Sequence, residues 1–160
     1  LGRSRAIDDN TAEVMVAPFL LSKEHPLAMV HGVFNAVFVT GNMLGDSMYY
    51  GRGAGKLPTA SAVVSDVVDC ARHQGKVIMC FWDKEEVKLA DIGEAERSFF
   101  IRAKAGAEDS VTAELPGGRM VHLKDRKEDF GYFTQSMKEK DFQAKYEALG
   151  GQMLGRIRLV

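Results

Sequence analysis

The chain has 160 residues, of which 46% are hydrophobic and 27% charged, values typical of a soluble globular protein. Its formal net charge of −1 gives it no basic field that would attract nucleic acid or anionic lipid. The sequence contains no run of about 18 apolar residues and no signal peptide. We therefore predict a cytoplasmic protein with neither a nucleic-acid nor a membrane partner.

The first third of the chain has the pattern of strands and turns. It opens at Leu1 rather than at a methionine and enters a polar segment, from which we expect a piece of a longer protein. "TAEVMVAPFLL" predicts a strand that Pro18 ends. Pro26 and Gly32 delimit one or two helical turns. "VFNAVFVTGNMLGDSMYYG" predicts two strands joined by a turn around residues 41–45.

Glycine occupies every second position of residues 51–55, directly before Lys56. A Walker phosphate loop would need glycine at position 50 and Ser or Thr at position 57, where Tyr50 and Leu57 stand. A dinucleotide fingerprint would need glycine in place of Lys56. Two interpretations stay open: a strand-to-helix turn that needs positive φ angles, or a backbone that approaches a ligand at a helix N-terminus.

A long helix is predicted after Pro58, with Gly75 as its C-terminal stop. Cys70 lies near the apolar stripe of this helix, and its expected burial predicts an inert thiol. The stripe repeats at helical spacing and consists of Ala60, Val63, Val64, Val67 and Ala71.

The weak pattern of residues 76–95 predicts a connector, in which "KVIMCFW" could form a short strand. From Arg97 the order is strand, doubtful element, strand, strand, helix, strand, which predicts a small α+β sandwich with helices on one face of an antiparallel sheet. "AEDSVTAEL" fits either a short helix or a strand. Ser136 and Glu139 form a predicted capping box. The stripe of the following helix is Phe142, Tyr146 and Leu149, and "MLGRIRLV" closes the chain as a strand.

No catalytic or metal centre is predicted from these residues. The histidines lack metal-ligand spacing, and the carboxylates lack an evident partner for acid–base chemistry. Cys70 and Cys80 are too few for a disulfide framework or a zinc site. The histidines are His25, His31, His73 and His122.

Residues 25–68 closely resemble the C-terminal end of the catalytic region of homoserine dehydrogenases. The matching pieces, in order, are "HPLA", "NAVFV", "YGRGAG" and "PTASAVVSDVV". This resemblance implies a family that reversibly reduces aspartate semialdehyde to homoserine with NADH or NADPH, on the route to threonine and methionine. It also implies that the backbone of Gly55 lies against the cofactor, with Gly53 and Ala54 as neighbours of that contact.

The family's Rossmann fingerprint, catalytic lysine segment and cation ligands have no counterpart in the sequence. Hydride transfer needs a fixed cofactor and a proton relay. We therefore expect NAD(P) to belong to the parent enzyme, and this chain alone to be inactive and to bind none.

The C-terminal part resembles an ACT regulatory domain, although "AGAEDSVTAELPGG" is too short and polar for the usual first helix. The resemblance implies that residues 1–75 are the end of a catalytic and dimerisation domain, that residues 76–95 are a connector and that residues 96–160 are an ACT-like domain. The predicted fold is thus α+β, a partial catalytic segment followed by a small ACT-like sandwich. We expect a homo-oligomer and a possible amino-acid effector, threonine. The alternatives are a free-standing amino-acid-sensing module and a dimerisation platform without a ligand.

Overall fold

The computed structural model describes residues 1–76 and 84–160. These residues form two compact units, one of Leu1–Leu20 with Glu85–Val160 and one of Leu21–Lys84. The possible strand "KVIMCFW" lies, except for its first residue, outside the described residues. Within the described part of the chain, no helix is both long enough and apolar enough to cross a membrane.

The elements alternate along the chain, and short 3₁₀ turns at Pro26–Met29, Ile92–Glu94 and Gly150–Gln152 lie between them. In the described residues the helices are α1 (Lys56–Arg72), α2 (Glu108–Glu114) and α3 (Glu139–Leu149). The strands are β1 (Gly2–Asp8), β2 (Thr11–Val16), β3 (Phe19–Leu20), β4 (Phe34–Gly41), β5 (Gly45–Arg52), β6 (Lys88–Leu89), β7 (Glu96–Arg97), β8 (Phe99–Lys104), β9 (Arg119–Val121), β10 (Asp129–Phe133), β11 (Met137–Lys138) and β12 (Met153–Leu159).

Residues 99–159 form a βαββαβ module, β8-α2-β9-β10-α3-β12. Its strands lie side by side in the order β12-β8-β10-β9, and every neighbouring pair among them is antiparallel. This is the ferredoxin-like order, in which the first and third strands of the module occupy the centre of the sheet. The predicted antiparallel sheet and its order of elements are confirmed, and "AEDSVTAEL" forms a helix of about two turns, α2.

The hydrophobic core lies between this sheet and helices α2 and α3. Alternate residues of β8 point inwards, and the ring of Phe99 stacks on that of Phe142 with 3.7 Å between centroids. Tyr132 is buried, and its hydroxyl donates to the carbonyl of Leu115 and accepts from the amide of Gly118. The buried hydrophobic residues are Phe99, Ile101, Ala103, Ala107, Val111, Leu115, Phe130, Tyr132, Phe142 and Leu149.

The N-terminal strands belong to the same unit as the module. β1 pairs antiparallel with β2, and β6 pairs with the other edge of β2 in parallel. β3 pairs in parallel with the end of β12, at Arg158 and Leu159. The compact units therefore divide the chain differently from the predicted segments 1–75, 76–95 and 96–160, which stay a prediction about functional domains.

One local prediction is corrected in this unit, and one strand was not predicted. The predicted capping box is wrong: α3 has no side-chain cap, and Glu139 forms ion pairs with arginines instead of reaching back towards Ser136. β1 was not predicted, because both of its faces are largely exposed and its sequence lacks an apolar alternation.

The second unit contains the β4–β5 hairpin and helix α1. The hairpin confirms the predicted turn around residues 41–45, and Gly75 has the positive φ of a helix stop (77°). The expectation that α1 buries its apolar stripe is wrong, because none of its residues is buried. Cys70 is accordingly exposed, which corrects its predicted burial.

Candidate functional site

The predicted cofactor-contacting residues Gly53, Ala54 and Gly55 form the connection between β5 and α1. All three are exposed, so a ligand could reach their backbone. The preceding Gly51 lies within β5, opposite Asn35 of β4, and an added Cβ there would meet nothing within 4 Å. The three alternating glycines therefore have different structural roles.

Gly55 is the N-cap of α1, with φ 125° and ψ 153°. Only glycine adopts this backbone region readily, since a Cβ would strain it. Its carbonyl accepts the first helical hydrogen bond, from the amide of Thr59 at 3.1 Å. The amides of Lys56 and Leu57 precede this bond and have no intrahelical acceptor, Pro58 has no N–H, and the first turn contains no acidic residue. The positive end of the helix dipole is thus free to face an anionic or carbonyl group.

Gly53 accommodates the side chain of Asn35. A Cβ added at Gly53 would lie 2.4 Å from Nδ2 and 3.0 Å from Cγ of that asparagine, so the amide would have to move. The missing side chain therefore lets an amide donor from β4 approach the turn backbone closely.

A shallow cleft of about 290 Å³ lies along the hairpin beside this turn. Aromatic and cationic groups border it: the rings of Phe34 and Tyr50 stack at 4.9 Å, and the guanidinium of Arg52 lies 5.3 Å from the centre of the Phe34 ring. The lining residues are Asn35, Ala36, Val37, Tyr49, Tyr50, Gly51, Arg52 and Gly53.

This arrangement is suited to binding rather than to acid–base chemistry. It offers backbone groups, a side-chain amide and an exposed guanidinium, but its lining includes no carboxylate, histidine or cysteine. Sequence reasoning missed Asn35, although the predicted hairpin turn contained the necessary signal. A hairpin whose closing pair is Gly41 and Gly45 brings Asn35 opposite Gly51.

The histidines have local structural contacts. Nδ1 of His25 accepts from the amide of Leu27 at 3.1 Å and so caps the first 3₁₀ turn. His73 caps the C-terminus of α1 and lies 3.2 Å from the carboxylate of Asp69. Across residues 1–76 and 84–160, no three metal-ligating side chains come together.

Comparison with known proteins shows which family the segment containing this turn resembles. The family model described as homoserine dehydrogenase matches residues 2–68, which include the whole glycine turn and most of α1. Over this segment the chain is similar to homoserine dehydrogenases. The homoserine dehydrogenase of Synechocystis sp. is 58% identical over 62 residues, and that of Helicobacter pylori is 34% identical over 103 residues.

The two sequence matches take in 39% and 64% of this chain, but the chain spans less than a quarter of the length of either relative. The Helicobacter pylori match takes in 64% of this chain and 24% of the relative, whereas the Synechocystis match takes in 39% and 14%. The structure of a homoserine dehydrogenase from Thiobacillus denitrificans superposes on 98% of this chain with a TM-score of 0.77 and 27% identity. That superposition uses 41% of the solved chain. The structure therefore has the mixed α/β fold of part of a homoserine dehydrogenase.

Proposed function

We propose that this chain acts as the C-terminal portion of an NAD(P)-dependent homoserine dehydrogenase, which interconverts aspartate semialdehyde and homoserine in a cytoplasmic route to threonine and methionine. The observation that carries this proposal is the family match over residues 2–68, which includes a turn whose geometry requires glycine at an exposed helix N-terminus.

The residues of this turn fit a nicotinamide cofactor. The backbone of Gly55, with Gly53 and Ala54 beside it, would lie against the cofactor, and the Asn35 amide is a donor within reach of the same turn. Among the described residues, no side chain forms a capping hydrogen bond at the N-terminus of α1. When bound, the cofactor would supply the hydride acceptor or donor of the reaction.

In this proposal the chain does not catalyse the reaction alone. The sequence contains no G-x-G-x-x-G, and the turn supplies no proton relay. The apolar stripe of α1 supports the need for further protein, because Val63, Val64 and Val67 are each more than half exposed. Apolar surface of this kind is normally covered by another part of the polypeptide or by a partner.

We further propose that the βαββαβ module is an ACT-type regulatory unit and that the chain self-associates. The module's strand order and its buried core support a unit that keeps its fold around an effector site. Because α2 is short, a threonine effector bound at this unit would contact little of its surface.

The test is a thermal-shift screen of the chain against the standard amino acids, NADP and homoserine, accompanied by a dehydrogenase assay. A ligand at 100 times its Kd adds about 2.7 kcal/mol to the free energy of unfolding, a shift of several degrees in Tm. We expect a selective shift with threonine or another aspartate-derived amino acid, none with NADP, and no turnover. Turnover by the chain alone would contradict the proposal.

A free-standing amino-acid-sensing module is the second candidate. It is favoured by the module's own core of ten buried hydrophobic residues among those described, which does not draw on the hairpin or on α1. This candidate predicts the same amino-acid shift but no dehydrogenase activity when the chain is combined with the remaining segments of a homoserine dehydrogenase. If no amino acid shifts Tm, the module is better explained as a dimerisation platform.

A further inference from the structure

A chain of five alternating charges runs through the unit that contains the module. Arg5 and Arg97 both donate to Glu13, Arg97 also pairs with Glu139, and Arg158 donates to Glu139 through two nitrogens. The distances are 3.2 Å from Arg5 to Glu13, 3.2 Å from Arg97 Nε to Glu139, and 3.1 Å from Arg158 Nε to Glu139. We call these five residues the charge cluster.

The middle of the charge cluster is removed from solvent. The side chains of Glu13, Arg97 and Glu139 are 2%, 4% and 14% exposed, whereas Arg5 at one end is 53% exposed. Nε of Arg97 is buried, and its 3.2 Å approach to Glu139 lacks hydrogen-bond geometry. Losing one charge from such a buried pair leaves an uncompensated partner, which is far more costly than losing a surface pair.

Glu13 is the only fully buried residue among the described residues of β1 and β2. The deepest attachment of this strand pair to the rest of its unit is therefore ionic rather than apolar. Its partner Arg97 is 84 residues away in β7, outside the family-matched segment 2–68, and β7 pairs with β11 within the residue range of the module.

The other end of the charge cluster lies in helix α3 and strand β12 of the module. Glu139 is the first residue of α3, and its amide donates to the carbonyl of Ala95 at 3.0 Å. Arg158 lies in β12, where it pairs in register with Phe19 of β3. A single carboxylate, Glu139, is thus held by arginines of both β7 and β12 at the start of a helix.

We propose that the charge cluster couples β1 and β2 mechanically to the N-terminus of α3, so that the two segments open together. A movement of α3 alters the distance between Glu139 and Arg97, and the buried guanidinium passes that change to Glu13. That the coupling carries a regulatory signal from the module rests on the proposed function; the coupling itself does not.

The experiment is amide hydrogen exchange on the whole 160-residue chain, comparing Glu13→Gln with a matched control, Asp129→Asn. Asp129 is also a buried carboxylate, 6% exposed, paired with Arg102 at 2.9 Å and Arg126 at 3.1 Å, but it makes no contact with the charge cluster. In Glu13→Gln we expect exchange to accelerate on the order of 30-fold or more in β2 and in the first turn of α3, with β8 and β10 much less affected. Asp129→Asn should leave β2 within about 3-fold of the unsubstituted chain.

A second measurement covers the case in which Glu13→Gln does not fold. In the unsubstituted chain, exchange at increasing denaturant should show β2 and the first turn of α3 merging into one opening reaction. Separate openings, or an Asp129→Asn effect on β2 as large as that of Glu13→Gln, would overturn the coupling. The same exchange with threonine added tests the proposed function separately: no effect of threonine would count against the regulatory role while leaving the ligand-free coupling intact.

Discussion

The two units of this chain differ in what holds them together. The unit of Leu21–Lys84 contains most of the segment 2–68 that the homoserine dehydrogenase family model matches, yet none of its described residues is buried. The module at residues 99–159 lies outside the matched segment 2–68 and has a core of stacked aromatic rings. Most of the family-matched sequence and the buried core are thus located in different parts of the chain. The first region exposes the apolar residues of α1, whereas the module has a core of its own side chains.

The largest expected effect tests this difference directly. Phe142→Ala removes a ring stacked on Phe99 in the core and should lower the free energy of unfolding by about 3–5 kcal/mol. The matched truncation in α1, Val64→Ala, should change it by less than about 0.5 kcal/mol, because Val64 is 60% exposed. Urea denaturation followed by circular dichroism measures both.

A loss of more than about 1 kcal/mol in Val64→Ala would mean that the α1 stripe is covered in solution. Repeating that measurement at several protein concentrations would then identify self-association, because dimer stability depends on concentration.

Removing one oxygen from the module core should have the next largest effect. Tyr132→Phe deletes the hydroxyl that links the Leu115 carbonyl to the Gly118 amide. Both backbone groups would lose a partner in a buried site, which costs about 1–3 kcal/mol. Tyr49→Phe, at a 69% exposed position of the hairpin, is the control and should be neutral. Equal stability of the two variants would show that water replaces the hydroxyl.

Two glycines at or next to the glycine turn, Gly55 and Gly51, can be compared within the unit of Leu21–Lys84. Gly55→Ala forces a Cβ onto a backbone with φ 125° and should cost about 1–3 kcal/mol locally, seen as faster exchange of the Thr59 amide, which donates to the carbonyl of residue 55. Gly51→Ala places its Cβ in open space within a strand and should be neutral or slightly stabilising. Equal amide exchange in both variants would show that residue 55 does not keep its positive φ in solution.

Sequence reasoning succeeded where local pattern determines structure. The hairpin, the length of α1 and the stripe of α3 all follow from turn residues and helical spacing, and Phe142 and Leu149 are buried as predicted. The sequence analysis failed where contacts between residues distant in the sequence determine which side chains are buried or paired. Helical spacing shows that Val63 and Val67 share a face, but not whether anything covers it.

The ion pairs also depend on contacts between residues that are distant in the sequence. Glu139 has the spacing of a capping residue from Ser136, yet two arginines, at positions 97 and 158, engage its carboxylate. Pairing of Glu13 with Arg97 across 84 residues leaves no local signal in the sequence. The sequence analysis predicted only part of the candidate site, because placing Asn35 opposite Gly51 requires the register of the hairpin. The predicted hairpin turn already implied that register.

The smallest expected effect is a pH dependence at the surface of the module's unit. Hydrogen bonds from Lys140 and Lys138 lower the pKa of Glu94 from 4.5 to about 2, and the same contact raises the pKa of Lys138 above 10.5. Because the folded pKa of Glu94 is lowered, its contribution to stability is fully present above pH 4.5 and is lost as the pH falls towards 2. The contribution of Lys138 is present below pH 10.5 and is lost as the pH rises through its raised folded pKa.

Tm recorded between pH 2 and 6 should therefore fall less steeply in Glu94→Gln than in the unsubstituted chain. The difference should shrink in high salt, because all three groups are exposed to solvent and their attraction is screened. Glu85→Gln is a poor control because Glu85 has interactions of its own, whereas Glu24→Gln lies in the other unit, where Glu24 is exposed. Parallel pH profiles of Glu94→Gln and Glu24→Gln would show that the lysine contacts with Glu94 do not persist in solution.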